Sequence, residues 1–304
     1  MKAALGVDLG GTGLRAAIVD ETGAVLAIEE AATDALGGPA AVIKQILALV
    51  ATLRQKHPRV AVEGLGVGAP GPLDPLAGIA IAPPTLSGWK DVPLAALLAE
   101  RLGLTVLIEN DANAAALGEW RFGAGQGTQS LVFVTVSTGI GGGVIADGRL
   151  LHGYRGLAAE IGHMRIAETS EEPCFCGQFG CWEALASGTA LGRRGARARG
   201  DAAITSRAVV AAARQGDSAA LALLTQEAAY LGVGFVNLLH LYSPERIVMG
   251  GGLGAALDLM QADIDAVIQA RAMPAYRSVP VVAAGLGTRA GLVGAASLIL
   301  VGRG

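Results

Sequence analysis

His163, Cys174, Cys176 and Cys181 lie in one short stretch, and the C-x-C-x4-C array holds every cysteine of the chain. Three thiolates and an imidazole are the ligand set of a closed, tetrahedral structural zinc site. Inert buried cysteines are the alternative, but three in so short a hydrophilic, glycine-containing loop are hard to hide in a core. Carboxylates stand at both edges of the stretch, Glu160 and Glu183. Elsewhere, Asp8-Leu9-Gly10-Gly11-Thr12-Gly13 places an acid beside a glycine turn. Backbone N–H groups in such a turn can approach phosphate oxygens, and Thr12 adds a hydroxyl donor. Asp8 is then placed to hold Mg²⁺, directly or through water. An ordinary hairpin would use the same glycines, which reach positive φ cheaply. Ser137–Gly143 has the same donor-rich composition without the acid, and Gly250-Gly251-Gly252 is a third glycine run. None of these is a dinucleotide fingerprint, and no Gly-Lys-Ser/Thr of a P-loop occurs. Asp111, within Glu109-Asn110-Asp111-Ala112-Asn113, has two readings. It is the N-cap of a following helix, or a general base accepting a hydroxyl proton during transfer to phosphate.

The elements that must position these groups follow from periodicity. Ala3–Asp8, Leu14–Val19 and Ala24–Ile28 read as a strand meander around glycine turns, and Pro39–Lys56 as a helix with apolar residues at helical spacing. Val60–Val67 and Thr105–Ile108 read as strands, and Pro93–Leu102 and Ala112–Arg121 as helices. The pattern then restarts with strands at Leu131–Val136 and Val144–Ala146, a hairpin turn at Asp147-Gly148, and a third strand beginning at Leu150. Helices are expected at Ser187–Arg199, Arg207–Arg214, Ala219–Leu241, Leu257–Arg271 and Arg289–Val301, and strands at Ile247–Met249 and Val279–Ala283. Each half opens with a meander and then alternates helices and strands, an internal duplication of topology. Two such halves facing one another would leave a cleft, with the glycine turns at strand ends where loops meet a ligand.

The bulk numbers narrow the class. At 304 residues and 52% hydrophobic the chain has ample core for about two domains. The longest apolar runs, around Leu231–Tyr242 and Leu292–Val301, fall short of the ~20 residues of a membrane helix. The apolar run after Met1-Lys2 is too short for a signal peptide. A cytoplasmic protein is expected, and the odd, clustered cysteine count points to a reducing compartment. A net charge of −3 with 4% aromatics offers no basic stripe with interleaved rings, so nucleic acid and membrane are not expected partners. His57, His152 and His240 read as structural, and the Arg193–Arg199 run as a solvated helical face.

Asp8–Thr12, Glu109–Asn113, Ser137–Gly143, Glu160–His163 and Cys174–Glu183, in this order, resemble the ROK family, whose members are bacterial sugar kinases and sugar-responsive repressors. The resemblance covers nearly the whole chain. It implies an α/β actin-like ATPase fold, two ribonuclease-H-like domains around a cleft, with a structural zinc loop. The implied domains are 1–117 plus 289–304, a smaller domain joined by the final helix, and 118–288, a larger one carrying the zinc loop. The implied reaction is transfer of the ATP γ-phosphate to the 6-hydroxyl of a hexose, glucose first, as in the family's glucokinases. Kinases of N-acylhexosamine, mannose or fructose are alternatives, as is a sugar-binding regulator without its DNA-binding domain. By this resemblance Asp111 is the base, and Asn110, Glu160, His163, Glu183, Gly71 and Thr85 contact the sugar. His163 would serve twice, one ring nitrogen on zinc and the other facing sugar. Asp8, Gly10, Gly11, Thr12, Gly13, Thr138 and Gly139 would hold the ATP phosphates and Mg²⁺, with Gly250, Gly251 and Gly252 on the nucleoside side. The resemblance also implies a homodimer or homotetramer. Thr85 stands where family glucokinases usually carry Asn, and Gly13 where many members carry Lys or Asn and some polyphosphate-using relatives carry Gly.

Overall fold

In the computed structural model, which describes residues 2–302, β1 (Ala3–Leu9) is buried along its whole length except for a half-buried Asp8. It pairs antiparallel with β2 (Gly13–Asp20), which pairs antiparallel with β3 (Val25–Ala32). Its other edge pairs parallel with β4 (Val62–Ala69), which pairs parallel with β7 (Thr105–Asn110), giving the order β3-β2-β1-β4-β7. Two short strands the sequence did not announce, β5 (Leu73–Asp74) and β6 (Ile79–Ala80), form a separate hairpin. One face of the sheet packs on α1 (Gly38–Lys56), whose Val42, Ile46, Val50 and Leu53 join Leu5, Val7, Leu65 and Val67 in the core. α2 (Leu94–Leu102) adds Leu94 and Leu98 to the same core.

On the opposite face, Gly6 of β1 and Gly66 of β4 are glycines for a steric reason. α10 (Ala290–Leu300) lies so close that a Cβ on Gly66 would sit 1.7 Å from the Ala295 carbonyl oxygen. A Cβ on Gly294 of α10 would in turn sit 1.7 Å from the Ala114 carbonyl oxygen of α3 (Asp111–Phe122). Backbone rests on backbone there, and no larger residue fits. The compact unit so formed takes in the chain through Gly127, Gly143–Ala159 and the chain from Thr288 onward. Residue 1 and residues 303–304 of the expected first domain lie outside the described residues.

A second unit comprises Thr128–Gly142 and Glu160–Gly287. The second sheet has the order β10-β9-β8-β11-β12, from β8 (Leu131–Val136), β9 (Ile140–Ala146), β10 (Arg149–Leu150), β11 (Arg246–Gly250) and β12 (Val281–Ala283). β8, β11 and β12 run parallel, and the β9–β10 hairpin turns at Asp147-Gly148, both with positive φ. The helices are α4 (Trp182–Ala186), α5 (Gly188–Arg199), α6 (Ser206–Arg214), α7 (Ser218–Tyr242), α8 (Gly251–Gly254) and α9 (Gln261–Arg271).

Three sequence expectations need correction. The helix expected over Leu257–Arg271 is broken into a 3-10 turn at Leu257–Leu259 and α9, with Met260 at φ −120° between them. α7 has 25 residues and is long and apolar enough to cross a membrane, although no run was expected to reach that length. Half of its most apolar window is buried inside the protein, and it carries the fully buried Glu227. Finally, the arginines of α5 form a solvated face only in part: Arg197 and Arg199 are exposed, whereas Arg193 is half-buried and Arg194 more deeply buried. Arg193 and Arg197 both pair with Glu172, Arg194 with Glu227, and Arg199 with Asp217.

Candidate functional site

The first glycine turn joins β1 to β2. Hairpin pairing sets Asp8 directly opposite Arg15, and the two side chains form a 2.5 Å ion pair. The turn is closed by the Gly10 N–H on the Gly13 carbonyl at 2.8 Å, and by the Thr33 hydroxyl on the Gly10 carbonyl at 2.8 Å. None of Gly10, Gly11 and Gly13 has a positive φ, so left-handed backbone is not why glycine stands here. Space is the reason at Gly11, where a Cβ would come within 2.8 Å of Thr85 Cβ. The structure thus brings Thr85 onto the turn. At Gly13 a Cβ would meet nothing within 4 Å. Gly71 lies in the loop between β4 and β5, before a cis Gly71–Pro72 peptide.

A polar cluster stands at the end of β7. Asn110 is the N-cap, its Oδ1 accepting the Ala112 and Asn113 N–H groups at 3.0 and 3.2 Å. Asp111 is therefore the first residue inside α3, where a carboxylate gains from the helix dipole. Its Oδ1 accepts the Ala112 N–H at 2.8 Å. Glu109 behind it is completely buried, with Asn113 Nδ2 3.2 Å from Oε1 and His152 Nε2 2.8 Å from Oε2. All of these groups belong to the first unit.

In the second unit, Ser137-Thr138-Gly139 connects β8 to β9, and three contacts hold it. The Gly188 N–H donates to the Ser137 carbonyl at 2.7 Å, the Thr189 hydroxyl to the Thr138 carbonyl at 2.7 Å, and Glu183 Oε2 accepts the Ile140 N–H at 2.9 Å. Glu183 sits on α4, two residues after Cys181, so this carboxylate links the zinc-type loop to the glycine turn. The third glycine run ends β11 and starts α8. Gly251 has φ +79°, and a Cβ there would also lie 2.5 Å from the Val136 carbonyl oxygen, so glycine is required twice over.

His163 closes a 3-10 turn, Ile161–His163, that starts just after an exposed Glu160. Isolated bridges between Arg165 and Cys181 and between Pro173 and Phe179 fold the following loop into a small ribbon. Its Cys174 N–H donates to the Gln178 carbonyl at 2.8 Å. The ribbon gathers the ligand atoms of His163, Cys174, Cys176 and Cys181 within 4.8 Å of one another. Cys174 Sγ is 3.6 Å from His163 Nδ1, and Cys176 Sγ is 3.7 Å from Cys181 Sγ. A tetrahedron of thiolates about 2.3 Å from zinc has edges of about 3.7 Å, so the donor set and its spacing fit that ion. Burial pushes the Cys174 thiol up and Cys181 up to about 12, while backbone hydrogen bonding from Gln178 brings Cys176 down. Nδ1 of His163 faces the thiols, and Phe175 packs edge-on against the ring at 5.1 Å.

Sequence reasoning missed three partners. Arg15 was findable, because a hairpin centred on Gly10–Thr12 must place it opposite Asp8. The His152–Glu109 pair, 43 residues apart, and the Glu183–Ile140 bond, 43 apart, had no local signal.

The ROK family profile matches residues 4–301. A glucokinase of Streptomyces coelicolor is 37% identical, with 97% of this chain and 96% of that protein covered. An N-acetylmannosamine kinase of Citrobacter koseri is 36% identical, with 97% of each chain covered. The crystal structure of a ROK glucokinase from Streptomyces griseus in complex with glucose and AMPPNP superposes with a TM-score of 0.84, at 36% identity, covering 98% of this chain and 99% of that one. The fold is the α/β actin-like ATPase fold, here with a Cys/His cluster that fits zinc. The chain belongs to the ROK family.

Proposed function

We propose that this protein transfers the γ-phosphoryl group of ATP to the 6-hydroxyl of a hexose, with glucose as its first substrate. The observation that carries the reading is the start of α3. Asn110 is the N-cap, so Asp111 stands as the first residue of α3, its carboxylate at the helix N-terminus and its Oδ1 on the Ala112 N–H. In this reading Asp111 accepts the hydroxyl proton as the oxygen attacks phosphorus. Asn110, Glu160, His163, Glu183, Gly71 and Thr85 orient the ring, with Nε2 of His163 turned to a hydroxyl while Nδ1 is held in the cysteine cluster. Gly10–Gly13, Thr138 and Gly139 receive phosphates, and Gly250–Gly252 lie toward the nucleoside. Asp8, already compensated by Arg15, suits a Mg²⁺ ion contacted through its water shell. Mg²⁺ neutralises phosphate charge when bound, and zinc fixes the loop that carries Glu160, His163 and Glu183. The same reading makes the protein a cytoplasmic homo-oligomer.

Thr85 and the N-acetylmannosamine kinase relative keep N-acylhexosamines as the second candidate substrates. The test is a coupled ADP-release assay across glucose, mannose, fructose and N-acetylhexosamines, with a parallel sugar-phosphate assay using polyphosphate as donor. Glucose with ATP is expected to give the highest kcat/KM. Asp111→Asn is expected to lower kcat by about 10²–10⁴-fold while sugar still binds. No turnover with any sugar, despite tight sugar binding, would instead indicate a sugar-responsive regulator.

A further inference from the structure

Glu109 is the one fully buried acid adjoining the Asn110–Asp111 start of α3, and its surroundings form a brace. Oε1 lies 3.1 Å from the Asn110 N–H and 3.2 Å from Asn113 Nδ2, so one oxygen touches both the capping residue and the first turn of the helix. His152 Nε2 is 2.8 Å from Oε2, and the imidazole is itself largely buried. His152 comes immediately after the β9–β10 hairpin and opens a segment with an unusual backbone. Gly153, Arg155, Gly156 and Ala159 all have positive φ, between 56° and 75°. Two of them carry side chains, for which that region is strained, so surrounding contacts must impose it. Those contacts are present. The Ala158 N–H closes onto the His152 carbonyl at 3.0 Å, Arg155 Nε reaches Asp74 at 3.5 Å, and Gly156 leaves no room for a Cβ beside Pro75. His152–Ala159 is thus a strap fastened to the first unit at Glu109, Asp74 and Pro75. It runs in sequence directly into Glu160 and then His163.

We propose that His152 is a positioning residue. Through Glu109 it fixes the Asn110–Asp111 start of α3. This rests on the proposed kinase reading, in which Asp111 is the base and Glu160 contacts sugar. A base misplaced by about 1 Å can lose about 100-fold in rate, so a charge-assisted bond on a buried carboxylate one residue before it is well placed to matter. A histidine that merely fills space would be replaceable by any side chain of similar volume. One that orients Glu109 needs an N–H at the Nε2 position.

The test compares His152→Leu, which keeps bulk and removes the donor, with His152→Gln, whose amide can restore it. The readouts are kcat, KM for sugar, KM for ATP and melting temperature of the purified full-length protein. His152→Leu is expected to lower kcat about 10–100-fold and raise sugar KM, leaving ATP KM within about twofold. His152→Gln is expected to recover most of the lost kcat, although both variants have similar melting temperatures. Equal kcat in the wild type and His152→Leu overturns the inference. So does an equal loss in both variants that tracks a fall in melting temperature. A wild-type protein with no turnover on any sugar overturns the kinase reading itself, a result visible before either variant is assayed.

Discussion

Thr85 rests against Gly11 at the point where a β-carbon could not be added. That contact ties the side chain proposed to face the sugar to the glycine turn. A threonine hydroxyl offers one donor and accepts, whereas an amide presents a carbonyl and an N–H₂ in a fixed plane. Thr85 is exposed, so an asparagine has room. Thr85→Asn is expected to raise kcat/KM for glucose about tenfold, the worth of one added hydrogen bond, with little change in melting temperature. Steady-state kinetics on glucose and N-acetylmannosamine check this, and an equal change on both sugars would remove Thr85 as a selector. At this scale the sequence was legible wherever partners are close along the chain. Asp8 and Arg15 share a hairpin, and period-two alternation puts them on one face. Capping, one of the two readings of Asp111, falls instead to its neighbour Asn110, a distinction the sequence does not carry because Asn and Asp cap almost equally well. His152 and Glu109 meet across a tertiary contact that no periodicity encodes.

Among the elements, the five-residue α4 is the most dependent on its neighbours. So short a helix has little stability of its own. Cys181 holds its beginning through the ribbon, and at its end Arg193 donates to the Ala184 carbonyl at 2.9 Å and Arg194 to the Leu185 carbonyl. Trp182 anchors it from below, edge-on to Phe235, with its indole N–H on the Tyr230 carbonyl at 3.0 Å. In the proposed reading zinc fills the cluster, and removing it would unfasten one of these ends. Structural zinc contributes an apparent ~10–16 kcal/mol in small metal-folded domains, so its loss should be felt through Glu183 and His163. Cys176→Ser, or treatment with a strong chelator, is expected to release zinc and raise sugar KM at least about tenfold. Metal analysis beside kinetics checks this, and a zinc-free protein with unchanged sugar KM would refute it. The four ligands were legible from spacing alone. α4 was not, because five residues following a cysteine loop carry no helical period to detect.

For the molecule as a whole, stability should depend on pH through one buried group on α7. Burial pushes the Glu227 carboxyl up to about 7, against the pull of the Arg194 guanidinium it contacts. Oε1 has no hydrogen-bond partner among the described residues. With its pKa raised above the unfolded value near 4.5, Glu227 binds more protons folded than unfolded across that interval. Stability should therefore be greatest below about pH 4.5 for this group and fall as pH rises through about 7. Glu227→Gln is expected to flatten that decline, while lowering stability overall because it leaves the Arg194 guanidinium without its carboxylate. Calorimetric melts of both proteins between pH 5 and pH 8 check it, and parallel curves would refute it. Denser packing appears where α10 meets Gly6, Gly66 and α3 in the first unit. A nascent chain makes β1, β4 and α3 early but does not reach Thr288 until the second unit has been synthesised. Until then the glycine-bearing face of the first sheet lacks the helix that packs on Gly6 and Gly66. Birth order and folding order are therefore reversed: the half that is translated first is the half that is finished last.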